Sequence, residues 1–130
     1  MKSNRCKFEE IQGVYHFQMK TAIDSRGSMT KLTLEDLRTM NVNFKADSYL
    51  LAYNNISFTT RGIHIQKAPC LEEKIVWCSS GEVYDVVVDF RKDSPTYGKW
   101  ASVTLSSKSP SYIYLPTGIG HAYQTLESAT

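Results

Sequence analysis

The chain has 130 residues, 42% of them hydrophobic and 22% charged, with a formal net charge of +2. That length bounds it to a single domain over residues 1–130 with enough apolar material for a core, and the composition excludes a disordered chain. The small positive charge is scattered, which argues against nucleic acid as a partner, and no apolar run approaches the ~18 residues of a membrane span.

The N-terminal stretch Met1-Lys2-Ser3-Asn4-Arg5-Cys6 is polar and lacks the apolar core of a signal peptide, so a cytoplasmic location is expected. Tyr15 to Lys20 alternates in part, as a strand does. Thr33 can cap a helix over Leu34-Glu35-Asp36-Leu37-Arg38-Thr39-Met40, with the acids in its first turn and Asn41 closing its last. Tyr49-Leu50-Leu51-Ala52-Tyr53 reads as a strand. Lys74 to Cys78 is another, bounded by the turn Ser79-Ser80-Gly81. Val83 to Phe90 is the strongest, with Val83, Val86, Val87, Val88 and Phe90 interrupted by Asp85 and Asp89. Trp100 to Leu105, Tyr112 to Leu115 and His121 to Leu126 follow, and Thr130 is read as lying within that last strand. Regularly spaced strands with one short helix predict an all-β sandwich or barrel. No repeat, linker or low-complexity segment interrupts them. Cys6, Cys70 and Cys78 show no C-x-x-C spacing and read as free thiols in a reducing compartment, with one disulfide plus a spare thiol as the alternative.

Arg61-Gly62-Ile63-His64-Ile65-Gln66, then Lys74, then Pro116-Thr117-Gly118-Ile119-Gly120-His121 carry the chemistry. A histidine with a pKa near ~6.5 can accept a carbon-bound proton at neutral pH. An ammonium group beside a ketone stabilises the enolate that forms as the proton leaves. Arginine forks suit phosphate oxygens. Each residue also has a plainer reading: a buried strand histidine, a solvated lysine, a salt-bridged arginine. Asp85 sits in a strand where an unpaired acid is costly, which predicts a partner such as His64, Lys74 or an arginine. His16 reads as a surface or strand histidine.

Taken in order, Asp24-Ser25-Arg26-Gly27, the Arg61-to-Gln66 stretch, Lys74, Gly81 to Arg91, Ser94-Pro95-Thr96-Tyr97-Gly98-Lys99-Trp100 and Leu115 to Tyr123 resemble the dTDP-4-dehydrorhamnose 3,5-epimerase family. The resemblance implies a cupin jelly-roll fold, with Pro116 to His121 matching the second cupin motif. It implies an isomerase that abstracts a proton alpha to the C4 ketone of a nucleotide-diphospho-4-keto-6-deoxyhexose and epimerises C3 and/or C5. In those terms His64 is the base and Lys74 the enolate partner. Arg61 and Arg26 hold the diphosphate, with the Arg26 turn reaching across the interface of a homodimer. Asn55 and Gln66 join the substrate-binding set, and His121 lines the sugar pocket. The first cupin motif commonly supplies His-x-His to a metal; here it reads His64-Ile65-Gln66. An amide replaces imidazole poorly as a ligand, so no metal and no cofactor is expected.

The chain departs from the family pattern in places. Family members continue beyond the His121 motif with a tyrosine that acts as general acid and an aspartate that pairs with the base histidine; neither has a position here. A fragment of a longer enzyme, a short relative that binds without turnover, and an acid supplied by an oligomeric neighbour are the three explanations, the first two being favoured. Ala22, Lys31 and Tyr53 replace an aromatic residue, a glutamate and a glutamine that contribute to thymine recognition, which leaves the base open. A non-catalytic nucleotide-sugar-binding relative and a 3,4-ketoisomerase on the same fold are the rival readings. A metal-dependent dioxygenase is disfavoured by Gln66.

Overall fold

The structure, a computed structural model, describes the backbone of residues 5–6 and all of residues 10–130. The thiol of Cys6 therefore lies outside the described residues, while Cys70 and Cys78 are free thiols, exposed and buried respectively. The strands in chain order are β1 (Arg5–Cys6), β2 (Tyr15–Gln18), β3 (Lys20–Asp24), β4 (Gly27–Lys31), β5 (Thr60–His64), β6 (Lys74–Trp77), β7 (Glu82–Asp89), β8 (Trp100–Ser106), β9 (Ser111–Leu115) and β10 (Ile119–Thr125), with α1 (Glu35–Thr39) between β4 and β5. One four-stranded sheet has the order β1-β2-β9-β6 and a second has β5-β10-β7-β8, while β3 and β4 form a separate hairpin. Every pairing is antiparallel. These layered sheets are the jelly roll expected from the sequence.

Side-chain alternation sets what each face does. Val83, Asp85, Val87 and Asp89 of β7 are buried, while Tyr84, Val86 and Val88 turn the other way. Val83 and Val87 pack with Leu105, Ile113, Leu115 and Ile119 to form the core between the sheets. Tyr112 and Tyr114 of β9 point to the opposite side and meet Phe17, Met19 and Leu37. The strand β9 is thus buried on both faces, which explains its near-continuous apolar run. Emptying a site such as Ile113 to alanine costs ~2–5 kcal/mol in cores of this kind.

The helix is shorter than expected, covering Glu35–Thr39. Thr33 still accepts the Glu35 N–H at 3.3 Å. Asn41 takes φ 60° and its N–H reaches the Arg38 carbonyl at 3.0 Å, which closes the turn. Two expectations are corrected. Residues 49–53 form no strand: their apolar pattern is strand-like, but within the described residues they find no neighbouring strand, and they lie exposed. The last strand ends at Thr125, and bends at residues 126–128 lead to Thr130, which exchanges both backbone hydrogen bonds with Asn54 at 2.7 and 3.1 Å. The hairpin β3–β4 leaves no strand signal in the sequence, because all of its residues are exposed and a polar pattern alone does not signal pairing.

Candidate functional site

The inner face of the β5-β10-β7 sheet gathers the chemistry. Directly paired residues on adjacent strands share a face. His121 stands opposite His64 on one side and Val87 on the other. Tyr123 stands opposite Arg61 and Asp85. Because Val87 is a core residue, His64, His121, Tyr123, Arg61 and Asp85 all belong to the interior face.

Arg61 and His64 are an odd number of residues apart, so a regular strand would send them to opposite sides. A register shift between His121 and Tyr123 absorbs the extra residue. Gly62 makes this bulge: its φ is +107°, and a β-carbon there would stand 2.7 Å from the His121 carbonyl oxygen. The glycine in Arg-Gly-x-His is therefore what puts both the Arg61 and the His64 side chains on the inner face.

Asn54 organises the arginine. Arg61 donates Nε–H to Asn54 Oδ1 at 2.9 Å, and Asn54 Nδ2 donates to the Thr130 carbonyl at 3.0 Å and to Tyr123 Oη at 3.4 Å. Asn54 is buried, whereas Asn55, the residue singled out from the sequence, is exposed. Adjacent asparagines cannot be ranked from sequence alone, since both suit a turn.

Asp85 is fully buried, and His121 Nδ1 lies 3.3 Å from its Oδ2. Its other oxygen is buried with no partner among the described residues. The partner is thus His121, not the expected His64, Lys74 or arginine: β7 borders β10, and β5 lies beyond it. Burial pushes the Asp85 carboxyl up, and the His121 hydrogen bond partly opposes it.

Lys74 opens β6 on the facing sheet, opposite Leu115. Val76, two positions on, packs into the core between the sheets, so Lys74 also starts on the interior face. Its Nζ is 3.3 Å from Glu72 Oε2 and its side chain is 28% exposed. His64 is exposed, and Gln66 is exposed just past the end of β5. His16 is half-buried in β2, its Nε2 lacks a partner among the described residues, and burial lowers its pKa. Arg26 lies apart, at the tip of the β3–β4 hairpin, 86% exposed and paired with Asp24 at 2.7 Å. The fold thus groups His64, His121 and Arg61, faces Lys74 toward the same interior, and leaves Arg26, Asn55 and Gln66 in the open. Among the described residues no set of three His, Cys, Asp or Glu side chains is grouped as metal ligands would be.

Asp89, at the end of β7, anchors the loop before β8. Its carboxylate accepts from Arg91 Nε at 2.9 Å, Ser94 Oγ at 2.6 Å and Thr96 Oγ1 at 2.6 Å. Burial alone would raise its pKa; these donors outweigh that and hold it well below the usual carboxylate range. Arg91 also reaches the Gln12 carbonyl, tying this loop to the segment before β2.

The family model described as dTDP-4-dehydrorhamnose 3,5-epimerase matches residues 9–130. The chain is 36% identical over 120 residues to the dTDP-4-dehydrorhamnose 3,5-epimerase of Salmonella typhimurium, covering 89% of this chain and 64% of that protein. It is 33% identical over 123 residues to the enzyme of the same name from Mycobacterium tuberculosis, covering 91% of this chain and 59% of that one. The chain thus spans about three fifths of the length of these two relatives. Among solved structures, the dTDP-4-dehydrorhamnose 3,5-epimerase of Bacillus anthracis with TDP and PPi bound is similar at TM-score 0.88 and 28% identity, over 96% of this chain and 71% of that one. A 3'-monoepimerase from Streptomyces bikiniensis in complex with dTDP-quinovose is similar at TM-score 0.84 and 29% identity, over 92% of this chain and 61% of that one.

Proposed function

Because the chain belongs to the dTDP-4-dehydrorhamnose 3,5-epimerase family, we propose that it epimerises a nucleotide-diphospho-4-keto-6-deoxyhexose at C3 and/or C5. The observation that carries this reading is the Gly62 bulge, which turns Arg61 and His64 onto one interior face beside His121. His64 takes the proton alpha to the C4 ketone, and the electron pair of the broken C–H bond moves onto the ketone oxygen. Lys74, on the facing sheet, stabilises that enolate oxygen. Return of a proton to the opposite face of the carbon inverts the centre. Arg61 presents its terminal nitrogens to the diphosphate, since Asn54 occupies only its Nε. Arg26 completes the diphosphate grip from a second copy of the chain, and Asn55 and Gln66 border the bound nucleotide sugar.

The homodimer is supported by two features. The β3–β4 hairpin has all its residues exposed, and a lone two-stranded hairpin is marginal in water without cover. Residues 49–58 expose a run of apolar side chains that includes Leu50 at 96%. The reaction belongs to the cytoplasm, in deoxysugar and cell-surface polysaccharide synthesis; among the described residues no helix is long and apolar enough to cross a membrane.

Incubation with a 4-keto-6-deoxy nucleotide sugar in D₂O tests the chemistry. Deuterium is expected at C3 or C5, and His64→Asn is expected to slow its entry by ~10²-fold or more. Absence of exchange with the wild-type chain rejects proton abstraction. A second reading, binding without turnover, is favoured by one observation: among the described residues no carboxylate is hydrogen-bonded to His64 to fix its tautomer. Calorimetric binding without exchange selects that reading.

A further inference from the structure

The pairing of Asp85 with His121 bears on what the sugar pocket reads, and it rests on the reading of this site as one for a nucleotide sugar. Asp85 lies on the inner face of β7 between Val83 and Val87, opposite Val103 and Tyr123. Those neighbours offer it no cation, and among the described residues its one polar partner is His121 Nδ1. The other ring nitrogen of His121 behaves differently. Among the described residues Nε2 has no hydrogen-bond partner, and it is not fully buried, so it is the ring nitrogen left for a ligand. His64 is the residue paired with His121 on the neighbouring strand β5.

A carboxylate only accepts, so the ring nitrogen facing it carries the proton, and the far nitrogen is then left with a lone pair. From this geometry we infer that Asp85 is a positioning residue that holds His121 with Nδ1 protonated, so that Nε2 accepts a hydrogen bond from a hydroxyl of the bound sugar. Burial disfavours the charged carboxyl, and the hydrogen bond from His121 works against that penalty. A carboxylate at this place costs the fold stability that an apolar residue would not, which is the pattern of a group kept for its effect on a neighbour. The consequence is selectivity. A site built around an acceptor favours a sugar that presents a hydroxyl donor there over one that lacks it.

The test begins with the ¹⁵N spectrum of the histidine rings in the full chain at neutral pH, which reports the protonated nitrogen without any ligand. His121 is expected to carry its proton on Nδ1, and a proton on Nε2 alone overturns the inference. Asp85→Leu removes the acceptor facing Nδ1 and is expected to release the preference for a proton there; an unchanged tautomer overturns the inference as well. Calorimetry supplies the second arm, with dTDP and dTDP-glucose as probes. The variant is expected to bind dTDP as the wild type does and dTDP-glucose about tenfold more weakly. Equal loss for both probes reveals a merely structural role and overturns it. If wild-type protein binds neither probe, the proposed function fails and the sugar-reading half of the inference fails with it, while the wild-type spectrum still decides the Asp85–His121 half.

Discussion

Arg61 gives its Nε–H to Asn54 Oδ1 at 2.9 Å, and Asn54 is itself fixed by three hydrogen bonds with the Thr130 backbone. The guanidinium is thereby aimed by a neutral partner, and its full charge remains for an anion. Arg61→Ala is expected to weaken dTDP binding about 10- to 100-fold, the range for a lost charge-assisted contact. Asn54→Ala, which frees the side chain to wander, should cost about fivefold. Asn54→Asp should cost more than alanine, although it keeps the shape, because it neutralises the arginine. Calorimetry with dTDP orders the three variants; an aspartate variant that binds better than alanine refutes the role given to the neutral amide.

Gly62 is the backbone device behind the site. With φ +107° and a would-be β-carbon 2.7 Å from the His121 carbonyl oxygen, no other residue fits without moving β5 away from β10. Gly62→Ala is expected to lower unfolding stability by ~1–3 kcal/mol and to reduce exchange and dTDP binding together, since both His64 and Arg61 lose their placement. Urea denaturation and calorimetry on the same sample check both effects. A variant of wild-type stability that also binds normally would show that the bulge is unnecessary.

These two residues also show how far the sequence could be read. The strands β7, β8 and β9 were legible because alternation or continuous apolar runs leave a mark that burial explains. His64, Arg61 and His121 are candidates drawn from ordered motifs, and their shared face follows from a glycine that the motif already contains. Asn54 was missed because its neighbour Asn55 has the same chemistry and only tertiary contact separates them. The pairing of Asp85 with His121 was open because strand order, not sequence spacing, decides which acid meets which histidine. Residues 49–53 misled because apolar alternation records a need for cover without saying which chain supplies it.

The Asp89 knot predicts an acid-sensitive loop. Donors from Arg91, Ser94 and Thr96 hold its pKa well below the ordinary aspartate value of ~3.9. A depressed folded-state value stabilises the fold above the unfolded-state pKa, and that contribution fades as pH falls from there through the folded value. Asp89→Asn is expected to cost ~3 kcal/mol at neutral pH, and the gap to wild type should narrow at about pH 3 and below. Urea denaturation at both pH values measures it; a gap that widens on acidification contradicts the assignment.

The exposed apolar run of residues 49–58 predicts association. Leu50 at 96% exposure and Tyr49 at 84% are free to be covered by a second copy. Light scattering is expected to give twice the mass of 14.8 kDa, and Leu50→Lys is expected to raise the dimer dissociation constant at least tenfold. A wild-type chain that stays monomeric at high concentration removes this basis for Arg26 reaching a partner's site.

Lys74 separates catalysis from binding. It stands on the sheet facing His64, and its one ion-pair partner among the described residues is Glu72 at 3.3 Å, itself partly exposed. A half-exposed pair of this kind contributes little to stability, so removing the charge should not unfold the chain. If the ammonium group stabilises the enolate, Lys74→Met should slow deuterium entry by about 10²-fold or more while dTDP affinity stays within about twofold, because the proposed diphosphate grip is arginine's. Glu72→Gln should leave exchange within about threefold, since it frees the ammonium group without removing it. Equal losses of exchange and dTDP binding in Lys74→Met would move this lysine from the enolate to the phosphate, and His64 would then have to act on a ketone with no cation beside it.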